Sequence, residues 1–174
     1  MKSIITIICL VACIFANKLS AREYVYVNPF SSHNQLVINT DLKLVSLDNH
    51  ISYKADFCPI ESSFYCINSK TFSFAVPKYF SKVDNSNWIS SGVHYELISM
   101  DRTDFLGKQY EVAIIHSRQD EEKIQYVYSK KQGLLLMTFT SNGLTGMLIL
   151  KGDCGIGASA LECNSESDTH LKKK

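Results

Sequence analysis

The sequence predicts a mainly β protein, a single domain of about eight to ten antiparallel strands in a meander, closed as a barrel, half-barrel or sandwich, with at most one short helix. Three observations predict it. Short runs rich in aromatic and β-branched residues follow one another along the chain. Turn formers separate them at short intervals. Hardly any run reaches helix length with helix periodicity.

The elements are taken in chain order. "MKSIITIICLVACIFANKLSA", residues 1–21, has Lys2 ahead of an uncharged apolar run, Ile4 to Ala16, and ends on small residues. That pattern is a cleaved secretory signal peptide, with cleavage expected after Ala21 and Ala16 as the alternative. The run is shorter than the ~20 residues a membrane-spanning helix needs. "LVAC" also resembles a bacterial lipobox, which would make Cys13 a lipidated first residue; but the apolar run continues past it through Ile14, Phe15 and Ala16. The expected location is therefore exported, periplasmic or extracellular.

Residues 22–163 form the expected β domain. "EYVYV" (23–27) is a strand, and "QLVINTDLKLVSL" (35–47) reads as one loosely alternating strand. Asp48-Asn49 turns the chain into "HISYKA" (50–55). "CPIESSFYC" (58–66) reads as a disulfide-closed loop. "KTFSFAV" (70–76) alternates cleanly, with Phe72, Phe74 and Val76 on one face, and Pro77 stops it. "KYFSKV" (78–83) suggests one helical turn and "DNSNWISSG" (84–92) a loop. "VHYELISM" (93–100), a loop "DRTDFLG", and "KQYEVAIIHS" (108–117) follow. "KIQYVYS" (123–129) and "GLLLMTFTS" (133–141) form a hairpin around "KKQ". Asn142-Gly143, a strong hairpin signal, leads into "LTGMLILK" (144–151). The tail, 164–174, is polar and expected to be disordered.

Loss of the leader leaves 16 basic against 17 acidic side chains, so no overall charge argues for nucleic acid or an anionic membrane. Four cysteines remain: Cys58, Cys66, Cys154 and Cys163. In an exported chain they read as two local disulfides, Cys58–Cys66 and Cys154–Cys163. Their spacings are too wide for a structural zinc site, and no metal or other cofactor is expected.

"GDCGIG" around Cys154 resembles the glycine-flanked nucleophile of picornavirus-type, chymotrypsin-like cysteine proteases. The resemblance implies an all-β hydrolase with a histidine base from His33, His50, His94 or His116. Glu96, Asp101 or Asp104 would orient that base. Against it, Cys163 stands ready to pair, and only a polar tail follows where that fold needs pocket-building strands. No H-E-x-x-H, G-x-S-x-G or P-loop occurs. The expectation is therefore non-catalytic binding of an apolar ligand or a protein partner. Trp88, Tyr126 and Tyr128 are the expected contact residues. An inhibitory or structural protein presenting the disulfide loop is a further reading.

Overall fold

A computed structural model describes residues 23–48, 50–79, 86–119, 122–141 and 143–159. The leader, Cys13, Cys163 and the 164–174 tail lie outside the described residues.

Among the described residues twelve strands form: β1 Glu23–Asn28, β2 Ser31–Asn39, β3 Leu44–Leu47, β4 Ile51–Phe57, β5 Phe64–Ser69, β6 Ser73–Pro77, β7 Asn87–Ser90, β8 Val93–Phe105, β9 Lys108–Gln119, β10 Glu122–Ser129, β11 Gly133–Ser141 and β12 Leu144–Leu150. All pairings are antiparallel and make one sheet, in the order β6-β5-β4-β3-β2-β1-β12-β11-β10-β9-β8-β7. A sheet of this size curls to bury its apolar face, here into a nearly closed barrel. The described residues contain no helix, and so none long and apolar enough to cross a membrane.

The strand count exceeds the expected eight to ten, because strands as short as four residues are too brief for periodicity to mark them off from loops and neighbouring strands. The run 35–47 is two strands. Asn39 turns the chain by accepting a hydrogen bond from the Leu42 N–H (2.9 Å), and Lys43 adopts a positive φ of 53°. The second half of the disulfide loop is strand β5, with Cys66 opposite Ala75 of β6. The expected loop 84–92 contains β7, closed onto β8 by Ser91-Gly92, both with positive φ (51° and 79°). The expected loop "DRTDFLG" is mostly strand: β8 runs on to Phe105 and turns at Leu106-Gly107. Asp101 and Asp104 are thus exposed rungs opposite Val112 and Gln109 rather than turn residues. Lys78 and Tyr79 follow β6 as bends; the rest of the expected helical turn lies outside the described residues.

The barrel interior is filled with side chains. Tyr26, Leu36, Ile38, Val45, Ile67, Phe74, Val76, Ile115, Tyr126 and Leu134 are fully buried. A chain of rings crosses it: Trp88 to Tyr95 (5.6 Å between centroids), Tyr95 to Tyr126 (6.3 Å), Tyr126 to Phe74 (5.2 Å) and Phe74 to Tyr128 (6.0 Å). These rings draw β6 over β7, β8 and β10. The carbonyls of edge strand β6 take side-chain donors. Ser73 accepts from the Tyr126 hydroxyl (2.7 Å) and Ala75 from the Trp88 indole N–H (3.1 Å). Polar atoms thus blunt an edge that would otherwise invite pairing.

The segment 151–159, which holds "GDCGIG", straps one end of the barrel. Gly155 N–H donates to the Gln132 carbonyl (2.6 Å), and Leu134 N–H to the Ile156 carbonyl (2.9 Å). Tyr26 is the pin. Its hydroxyl donates to the Leu134 carbonyl (3.1 Å) and accepts from the Ile156 N–H (3.2 Å).

Burial pushes the phenols of Tyr26, Tyr95, Tyr126 and Tyr128 well above the usual tyrosine range. Above the unfolded value of about 10, the unfolded chain releases protons that the folded chain retains, so stability falls as pH rises. The contribution is complete below that pH. Each such tyrosine is expected to cost about 1.4 kcal/mol per pH unit above pH ~10. Absorbance at 295 nm during alkaline titration should show these four ionising together with loss of the far-UV β signal. Smooth ionisation of every tyrosine in a still-folded protein would contradict it.

Candidate functional site

The sequence-expected contact residues are mostly interior. Tyr126 and Tyr128 are buried, and their hydroxyls donate to Ser73 and Gly157 carbonyls. Trp88 sits on a strand rather than a loop and is only 8% exposed, stacked on Tyr95 with the planes 6° apart. Strand alternation explains all three, since each falls on the inward parity of its strand. None presents an exposed ring.

Cys58 and Cys66 form a disulfide with Cα atoms 5.1 Å apart. Cys154 is also disulfide-bonded; its expected partner, Cys163, lies outside the described residues. A sulfur held in a disulfide offers no thiolate, which removes the nucleophile the hydrolase resemblance requires. His33 and His50 lie on or beside β2 and β4, and His94 and His116 on β8 and β9. Among the described residues no group of histidine, cysteine and carboxylate side chains is placed to hold a metal ion.

What the structure does bring together lies on the far side of Trp88. A pocket of about 350 Å³ is lined by Asn87, Trp88 and Ile89 of β7, His94, Tyr95 and Glu96 of β8, and His116 and Arg118 of β9. The register arranges the outward side chains in two rows. Ile89 faces His94, which faces Arg118; Asn87 faces Glu96, which faces His116. Directly opposed residues lie about 5 Å apart at Cβ, so His94, Arg118, Glu96 and His116 form one compact polar square. On β10 the rows continue with Lys123 opposite Arg118 and Gln125 opposite His116. The His116 ring and the Gln125 amide share a hydrogen bond (3.0 Å), which fixes the imidazole in place. Ile89 closes the outer row at the free edge and is 61% exposed.

A β-bulge between Leu97 and Ser99 follows immediately after Glu96. Bulges re-aim strands beside binding sites, and beyond this one β8 and β9 continue as a two-stranded arm past the last rung with β10. Sequence reasoning weighed His94, His116 and Glu96 only as parts of a protease and missed Arg118, Lys123 and Ile89. The signal was present as alternation: "WISSGVHYEL" and "IIHSRQ" put His94 and Glu96, and His116 and Arg118, on the outward parity of their strands.

The chain has no counterpart in the comparisons: no protein-family model, no curated protein and no solved structure matches it.

Proposed function

We propose that the protein is an exported, non-catalytic binding domain that holds a partner protein against the outer face of β7, β8 and β9. The observation that carries this reading is where the open space lies. The barrel interior, where an apolar small ligand would sit, is occupied by the Trp88–Tyr95–Tyr126–Phe74–Tyr128 rings. The 350 Å³ pocket instead combines an exposed apolar residue with hydrogen-bonding groups on a rigid sheet. Such a mix suits a side chain of a partner, oriented by a few polar groups. Export agrees with the apolar leader and with the Cys58–Cys66 disulfide.

The test is selection of displayed random peptides on the oxidised, folded protein. Enriched peptides should bind the wild type and lose at least about tenfold in affinity to Ile89→Arg, a loss of about 1.4 kcal/mol. That variant should keep its far-UV spectrum and unfolding midpoint, because Ile89 is exposed. No enrichment, or binding indifferent to Ile89→Arg, would overturn the proposal. So would 1:1 uptake of a fluorescent fatty acid, which would return the interior carrier reading to first place.

A further inference from the structure

We infer that the β7–β9 face takes an acidic, extended segment of its partner, read by Lys123 and Arg118, two cations that no carboxylate among the described residues pairs with. The inference rests on the reading of that face as the contact surface.

These two cations share a row with the His94 imidazole, set side by side across β10, β9 and β8 and ending at Ile89 on β7. With strands about 4.8 Å apart, it spans roughly 10 Å from Lys123 to His94. Lys123 and Arg118 are directly opposed, an arrangement that costs stability, whereas an opposed acid would add to it. No carboxylate among the described residues pairs with either; the ion pair found is Lys108 with Asp153 (3.9 Å), at the far end of β9. Glu96, the acid on this face of β8, is one rung away and opposite His116. Glu122 precedes Lys123, and by alternation points to the other face of β10.

The Lys123–Arg118 pair is not the consequence of a basic protein, since the whole chain is close to neutral. It is a local departure from favourable pairing, placed beside the pocket. Departures of this kind collect at functional sites, where a ligand supplies the missing interaction. Arg118 presents a planar guanidinium suited to a carboxylate, and Lys123 a compact charge beside it. Glutamates at alternate positions of an extended segment recur about every 6.7 Å, close enough for flexible side chains to engage two members of the row. An apolar residue at the end of that segment would then meet Ile89.

The probe is an acetylated, amidated heptapeptide in which Glu alternates with Ser and one Val ends the run, with Gln and Lys versions as controls. Binding to the full oxidised protein is followed by backbone amide shifts at low salt. The Glu peptide should bind at least about tenfold tighter than the Gln peptide, and the Lys peptide should not bind. The advantage should vanish in Arg118→Gln/Lys123→Gln and shrink with added salt. Lys123→Glu should abolish binding yet raise the unfolding midpoint of the free protein, because it replaces a repulsive pair with an attractive one.

If Glu and Gln peptides shift the His94, Glu96 and Arg118 amides equally, the face binds but the acidic preference is wrong. If no peptide shifts that face, the contact surface itself is misassigned. A lower midpoint for Lys123→Glu would overturn the argument from the Lys123–Arg118 pair. Inorganic phosphate binding more tightly than the peptide would show a small-anion site instead of a segment-binding one.

Discussion

Trp88→Ala should lower the unfolding free energy by about 3–5 kcal/mol, the range for truncating a buried aromatic ring. The estimate follows from what the ring joins. Its stack on Tyr95 begins the aromatic chain that holds β6 across the barrel, and its N–H satisfies the Ala75 carbonyl on the opposite edge strand. Alanine leaves a cavity at the seam and an orphaned carbonyl there. Trp88→Phe separates the two effects. It keeps most of the ring and loses the donor, so it should cost about 1–3 kcal/mol, mainly from the unsatisfied Ala75 oxygen. Urea unfolding followed by circular dichroism measures both, because Trp88 is the sole tryptophan and its variants lose the fluorescent reporter. A cost below about 1 kcal/mol for Trp88→Ala would mean that the seam is held by something else. The two variants also bear on function. Trp88 borders the pocket from behind, so an effect on peptide binding that scales with lost stability is structural, whereas Ile89→Arg should act on binding alone.

The same residue shows where the sequence was legible. The antiparallel meander could be read because β8 up to Met100 and the strands β9 to β12 alternate or are uniformly apolar, and because Asn142-Gly143 and "KKQ" mark their turns. The short strands could not be read in the same way. β3 and β7 have four residues each, too few for periodicity to separate a strand from a loop. β7 also carries asparagine and serine, which favour turns locally; it is a strand because the Trp88 ring is buried in the seam. The candidate site failed to show for a related reason. Its side chains come from three strands, and only register brings His94 opposite Arg118 and Arg118 opposite Lys123. Sequence spacing holds the alternation but not the register. By contrast, the Cys58–Cys66 pairing was legible because both cysteines lie within one short excursion of the chain.

Gly155→Ala is the second large effect, expected at about 3–5 kcal/mol from overpacking and from broken buried hydrogen bonds. A Cβ at Gly155 would fall on the Leu134 carbonyl oxygen and 2.9 Å from the Tyr26 hydroxyl. Neither neighbour can yield cheaply. Leu134 is backbone inside the strap's own pairing, and Tyr26 is fully buried. Gly133 faces the same approach from the other side, at φ 80°, where a Cβ would run into the Gly155 and Ile156 carbonyls. The strap therefore lies flush on the barrel through two glycines, and a methyl group on either lifts it off. Lifting breaks the Leu134–Ile156 bond and the Ile156 N–H contact to the Tyr26 hydroxyl together. Gly146→Ala is the matched control. The atoms nearest its Cβ would all belong to the ring of Phe139, a side chain 40% exposed and able to swing aside, so it should cost less than about 1 kcal/mol. Chemical denaturation of the oxidised proteins gives the totals, and amide exchange at Leu134 and Ile156 localises the loss to the strap. Equal, small costs for the two variants would show that residues 151–159 only lean on the barrel. A large cost at Gly155 alone means that "GDCGIG" serves to close the barrel: its glycines permit the contact that Tyr26 pins, and Cys154 takes part as a cross-link.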